Sequence, residues 1–148
     1  MIRYVHTNII AKDCEKLIEF YKNVLGCQSI GEKRNLRGEW LDQMTGVTNS
    51  HIVGEHLALP GYDGKHPTIE IFSYDQMKGT MIHEINAYGI AHLAFEVDNV
   101  EEVLDRILEN GGRKVGELVH AVYEDGRKAT FVYATDPEGN ILELQTWE

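Results

Sequence analysis

The sequence predicts an α+β fold made of two βαβββ modules, and three observations predict it. A strand, a helix cap, an amphipathic helix and a glycine stop occur in that order twice. Moving the first half by 86 positions lays His6 on His92, Asp13 on Asn99, Leu17 on Val103 and Gly26 on Gly112, the shared register of an internal duplication. Each helix is then followed by three short segments with strand character.

The first module is expected over residues 1–75. It opens on a strand in which Val5, Thr7 and Ile9 share one face while His6 and Asn8 take the other. Asp13 is placed to cap a helix whose apolar residues Leu17, Ile18, Phe20, Tyr21, Val24 and Leu25 recur at helical spacing up to Gly26. Strands are expected over about 28–36, 48–59 and 67–74, the last carrying Glu70 between Ile69 and Ile71. From His6 to Glu70 is 64 residues, against 51 from His92 to Glu143, so the first module holds 13 extra. Residues 38–46 can supply most of them as a short inserted helix that buries Trp40, Leu41 and Met44, stops at Gly46 and lines or lids a cavity. Residues 76–88 show no clean period and read as the linker.

The second module, 89–148, opens on the run Gly89–Val97. Here Ala91, Leu93, Phe95 and Val97 make an apolar face, and His92, Ala94 and Glu96 face the other way. Asp98 or Asn99 caps a helix carrying Val100, Val103, Leu104, Ile107 and Leu108, which stops at Asn110-Gly111-Gly112. Strands follow at about 114–119, 129–135 and 140–146. The turn Asp136-Pro137-Glu138-Gly139-Asn140, type I or II by composition, delivers Glu143 into the last strand between Leu142 and Leu144.

Composition narrows the function. With 43% apolar residues the 148-residue chain can bury one core, as a single domain or as two small modules. Fourteen basic against 24 acidic residues give a formal charge of −10, which repels nucleic acid and anionic membranes. Cys14 and Cys27 are too few for a disulfide framework and are not spaced like paired metal ligands, so they read as reduced thiols. The N-terminal Met1-Ile2-Arg3-Tyr4 lacks a signal-peptide core and no apolar run reaches membrane-spanning length, which leads us to expect a cytoplasmic protein.

His6, Glu70, His92 and Glu143 are the constellation with chemistry. A lone strand histidine is usually a hydrogen-bonded structural residue, and a lone glutamate on a polar face is usually solvated. The repeat changes the weighing, because each half supplies one histidine on its first strand and one glutamate on its last. Two imidazoles and two carboxylates form a mixed nitrogen and oxygen set suited to a divalent transition metal if the modules pack about a pseudo-twofold axis. His51, His56, His66, His83 and His120 fall in loops or strand margins by the same reading and are weaker candidates. Trp40, Phe72, Tyr74 and Tyr133 read as core or cavity wall. Arg34, Arg37, Arg127 and Lys128 could clamp a substrate anion, with a solvated surface role as the plainer alternative.

Three features together resemble the vicinal oxygen chelate superfamily. They are the βαβββ duplication, the run Phe20-Tyr21-Lys22-Asn23-Val24-Leu25-Gly26, and the pairing of the His92 strand with Asp136-Pro137-Glu138-Gly139-Asn140-Ile141-Leu142-Glu143-Leu144. That superfamily groups glyoxalase I, methylmalonyl-CoA epimerase, extradiol dioxygenases and bleomycin-resistance proteins. The resemblance, closest to glyoxalase I-like members, covers nearly the whole chain. It implies a curved mixed sheet around a central cavity with the helices outside, and a homodimer. It further implies that His6, Glu70, His92 and Glu143 are metal ligands, with nickel or zinc the first expectation and cobalt, manganese or iron the others.

The implied activity is that of a lyase or isomerase acting on a small substrate with vicinal oxygens, where the metal as Lewis acid stabilises a developing enolate. Glu143, or else Glu70, shuttles the proton. Bacterial glyoxalase I carries an arginine four residues after its first histidine and an asparagine four after its first glutamate, both for glutathione; Ile10 and Tyr74 stand there in this chain. The alternatives are an acyl-CoA epimerase, an extradiol-type dioxygenase and a non-catalytic ligand-binding protein of the antibiotic-resistance type. The first usually has glutamine in place of Glu70. The second uses a two-histidine, one-carboxylate triad that His6, His92 and Glu143 match, with Glu70 where dioxygen must bind. The third lacks the metal residues.

Overall fold

The computed structural model describes residues 1–79 and 83–148. The chain divides into two compact units, Met1–Gly79 and Thr80–Glu148. The linker expected over 76–88 falls partly on residues 80–82, outside the described residues.

The first unit runs β1 (His6–Ile10), α1 (Cys14–Leu25), β2 (Gln28–Arg37), α2 (Glu39–Thr45), β3 (His51–Ala58) and β4 (Thr68–Tyr74). Its sheet has the order β1-β4-β3-β2, with β1 parallel to β4 and the other pairs antiparallel. Asp13 accepts from the Lys16 amide at 3.0 Å and so caps α1, while Gly26, at φ 73°, ends it with its own N–H on the Lys22 carbonyl. One stripe of α1, Leu17, Ile18, Phe20, Tyr21 and Val24, is buried, as are Leu57 of β3 and Ile69 and Ile71 of β4, and the helix packs on those two strands. Gly54 is required where β3 meets β4, since a Cβ there would lie 2.0 Å from the Ile71 carbonyl oxygen.

The second unit runs β5 (Leu93–Glu96), α3 (Val100–Glu109), β6 (Arg113–Lys114), β7 (Val119–Val122), β8 (Lys128–Thr135) and β9 (Ile141–Trp147). The order is β5-β9-β8-β6, with β7 also on β8. Asn99, rather than Asp98, caps α3 through the Glu102 amide. Val100, Val103, Leu104 and Ile107 are buried against β8 and β9, whereas Leu108, expected in that stripe, is exposed. Both units are thus α+β with the strand order first, last, third, second. No helix among the described residues is long and apolar enough to cross a membrane.

Three expectations need correction. The strand expected from Gly89 begins only at Leu93, because β9 starts at Ile141 and its parallel ladder to β5 opens at Leu93 with Leu142; His92 immediately precedes the strand. The strand expected over 114–119 is interrupted after Lys114 and resumes at Val119. Moved back by 86, that gap falls near the irregularity between Ile30 and Arg34 in β2, so the second strand is broken at a related place in both units. Helix α2 ends at Gly46 as expected, but it buries Leu41 alone, leaving Trp40 53% and Met44 68% exposed. Two turns of helix present one position to the sheet, and Leu41 takes it, packing on Ile52 and Phe72.

Candidate metal centre

The sheet pleat decides which side chains meet. In the first unit Asn8 pairs across the parallel ladder with Glu70, so His6, two residues earlier, lies on the same face. Its Nε2 stands 3.2 Å from Glu70 Oε2. In the second unit Ala94 pairs with Glu143, and His92, again two residues earlier, places Nε2 2.9 Å from Glu143 Oε2. The two units therefore build their histidine–glutamate pairs in the same register. Both carboxylates are mostly buried, at 12% and 15% side-chain exposure.

Each carboxylate has a second partner, from the neighbouring antiparallel strand. His56 lies directly opposite Glu70, Nε2 to Oε1 at 2.5 Å, and its Nδ1 meets Arg34 Nη2 at 3.0 Å. Burial holds His56 below its usual pKa against the pull of Glu70, with Arg34 and His6 adding to the effect. Tyr133 lies directly opposite Glu143, hydrogen-bonds it and sits 5.1 Å from the His92 ring; burial, then the Glu143 charge, pushes its phenol above the ordinary value. Among the described residues the buried His92 Nδ1 meets no hydrogen-bond partner, and Nε2 is the nitrogen that engages Glu143.

His56 is the residue that strand alternation undervalued. It is not in a loop or strand margin but inside β3, and with His6 and Glu70 it offers ligand atoms that all lie within 4.8 Å of one another. Its position opposite Glu70 depends on the length of the β3–β4 connection, which alternation within one strand does not register. His51 stands at the margin of β3 as its first residue and meets Asp75 and Asn35, while His120 lies in β7 and meets Thr130. Of the four cations considered for an anion clamp, Arg34 is bound to His56. Arg37 reaches His51 and Asp75, and Arg127 is held by Asp125 over the Tyr123 and Trp147 rings. Phe72 and Ile52 share the Glu70 and His56 face, so α2 is anchored beside this site through Leu41. Tyr74 packs against the same cluster, and Ile10 is exposed.

Imidazole nitrogens and carboxylate oxygens on adjacent strands are the donor chemistry of zinc, nickel, cobalt, manganese and iron sites, so the residues fit a divalent metal. Cys14 and Cys27 are free and buried, and burial lifts the Cys27 thiol to about 11, which keeps it a neutral thiol near neutral pH.

A βαβββ unit is present twice, each copy with a histidine–glutamate pair in one register, and the first also groups His6, His56 and Glu70 as residues that could hold a metal ion. The chain belongs to the Glyoxalase/Bleomycin resistance protein/Dioxygenase superfamily, whose family model matches residues 3–144. It is 28% identical over 144 residues to the lactoylglutathione lyase of Salmonella typhimurium, covering 97% of this chain and 91% of that protein. The ethylmalonyl-CoA/methylmalonyl-CoA epimerase of Cereibacter sphaeroides is 24% identical over 149 residues, covering 97% and 96%. Among solved structures, a glyoxalase family protein from Bacillus cereus superposes with TM-score 0.76 at 23% identity, covering 99% of this chain and 93% of that one. A fosfomycin resistance protein from Listeria monocytogenes, complexed with Mn(II) and sulfate, superposes with TM-score 0.56 at 17% identity over 99% and 91%.

Proposed function

We propose that this chain is a divalent-metal-dependent lyase or isomerase of the glyoxalase I type, acting on a small substrate with vicinal oxygens, in which His6, Glu70, His92 and Glu143 are the metal ligands. Residues 1–148 form a single vicinal oxygen chelate domain in this reading, and the protein works as a cytoplasmic homodimer. The observation that carries it is the repeated register, Asn8 with Glu70 and Ala94 with Glu143, which puts one imidazole Nε2 beside one buried carboxylate in each unit. A bound divalent cation, nickel or zinc in the first instance, supplies Lewis-acid polarisation of the substrate oxygens. Glu143 takes a proton from one substrate carbon and returns it to the next, with Glu70 the other candidate. Tyr133, on Glu143, holds that carboxylate in place.

Ile10 and Tyr74 favour a substrate other than a glutathione adduct, since neither side chain offers the charged or amide donors that a glutathione carboxylate requires. The coenzyme A epimerase relative supports a second reading, epimerisation of an acyl-CoA, which uses the same proton chemistry. Metal content of purified wild type, His92→Ala and Glu143→Gln, with exchange of substrate carbon-bound protons into deuterated water, tests the assignment. His92→Ala should lose stoichiometric metal. Glu143→Gln should keep some metal and lose exchange by at least about a hundredfold, because an amide oxygen can ligate but cannot act as a base. Unchanged exchange in Glu143→Gln with loss in Glu70→Gln transfers the base to Glu70, and absence of metal throughout overturns the reading in favour of a ligand-binding protein.

A further inference from the structure

His6, His56 and Glu70 invite the reading that all three ligate one ion. The hydrogen-bond chemistry of Arg34 argues otherwise. A guanidinium donates and cannot accept, so the His56 Nδ1 that meets Arg34 Nη2 at 3.0 Å must present its lone pair. The proton of a neutral ring then resides on Nε2, which faces Glu70 Oε1 at 2.5 Å and donates to it. A histidine that ligates through Nε2 does the reverse: it keeps a proton on Nδ1 and gives it to an acceptor. Arg34 denies His56 that arrangement.

The distances agree. Donors at about 2.0–2.2 Å from one ion at tetrahedral or octahedral angles stand about 2.8–3.6 Å apart. The 3.2 Å between His6 Nε2 and Glu70 Oε2 falls in that interval, whereas the 2.5 Å between His56 Nε2 and Glu70 Oε1 is too short for two ligands and right for a charge-assisted hydrogen bond. The second unit gives an independent parallel. The position opposite Glu143 that answers to His56 is Tyr133, and it too bonds to the carboxylate. A histidine and a tyrosine have in common the ability to donate one hydrogen bond from a strand.

We propose that His56 is a positioning residue for Glu70: fixed by Arg34 as the Nε2–H tautomer, it donates to Oε1 and leaves Oε2, on the His6 side, as the oxygen that ligates the metal. Arg34 acts one bond further out, and Tyr133 is the corresponding holder of Glu143. The inference rests on the ligand set proposed above, but its tautomer claim concerns the metal-free chain.

Two measurements on the 148-residue chain test it. Nitrogen-15 NMR of the metal-free histidine rings should show His56 with Nδ1 bare and Nε2 protonated, and Arg34→Met should weaken that preference while the Glu70 hydrogen bond keeps part of it. In nickel titrations against a competing chelator, His56→Ala should weaken binding about 10–100-fold. His56→Gln, whose amide nitrogen can donate from nearly the same place, should recover most of that loss, while His6→Ala should abolish binding. Wild type that binds nickel but carries its His56 proton on Nδ1 overturns this proposal alone. So does a His56→Ala that abolishes binding without rescue by glutamine, the behaviour of a ligand, and so does one that binds like wild type. Wild type that takes up no nickel or zinc overturns the ligand set itself, whatever the tautomer.

Discussion

Glu55 and His56 are adjacent in β3 and face opposite sides of the sheet, so one strand serves two purposes. Glu55, 7% exposed, accepts from Ser29 Oγ at 2.5 Å, with Lys22 Nζ at 3.5 Å and Lys33 Nζ at 3.6 Å. The Ser29 hydrogen bond, helped by the two lysines and opposed by burial, holds its carboxyl below the usual range. A depressed carboxylate stabilises the fold above its unfolded pKa, about 4.3, and this is lost as pH falls through the folded value. Glu55→Gln should therefore cost about 1–3 kcal/mol at pH 7 in urea unfolding and progressively less below about pH 4. An equal cost at both pH values would show that packing, not charge, is what Glu55 contributes. At this scale the pairing of His6 with Glu70 and of His92 with Glu143 was legible from alternation, although β5 begins one residue after His92. His56, Tyr133 and Arg34 were not, because their roles depend on which residue lies opposite on another strand.

Elements carry the next layer. The thirteen surplus residues of the first unit are not all in α2. His56 follows His6 by 50 residues and Tyr133 follows His92 by 41, so nine are gained before β3; Glu70 follows His56 by 14 and Glu143 follows Tyr133 by 10, so four lie in the β3–β4 connection. The shorter connection in the second unit is the Asp136–Asn140 turn, which its composition made legible. Asp136 is buried there and accepts from the Glu138 and Asn140 amides and the Asn140 side chain at 2.7–3.0 Å, fixing the approach to Glu143. The helices were legible through cap and period. The break between β6 and β7 and the outward Trp40 were not, since both are set by which residues the sheet has room to cover. Outer strands raise a further point. The second sheet ends in β7, which exposes Val119 52% and Val122 74%, and unpaired edges of this kind associate unless they are covered. Sedimentation velocity should give a species of twice 16.8 kDa, and a monomer at every concentration would exclude the proposed homodimer.

At the scale of the whole molecule, duplication explains why a 148-residue chain holds two histidine–glutamate pairs in one register while neither helix, strand break nor connecting loop is identical between the halves. The differences between the halves fall in loops and edges, and the two central strands of each sheet keep the carboxylate and its donor opposite one another. Were the proposed ligands drawn from both units, metal binding would report on both. Metal that binds only the folded chain stabilises it by about 2.7 kcal/mol at a free concentration a hundred times Kd, which for a chain of this length corresponds to a rise of about 5–10 °C in Tm. Adding nickel or zinc to chelator-treated wild type should produce that rise, and a chelator should reverse it. His6→Ala and His92→Ala should each abolish the rise while leaving the metal-free Tm nearly unchanged, because the apolar faces beside these residues are not altered. If His6→Ala keeps the rise and His92→Ala loses it, the ion belongs to the second unit alone, and the first-unit pair is a hydrogen-bonded remnant of the duplication.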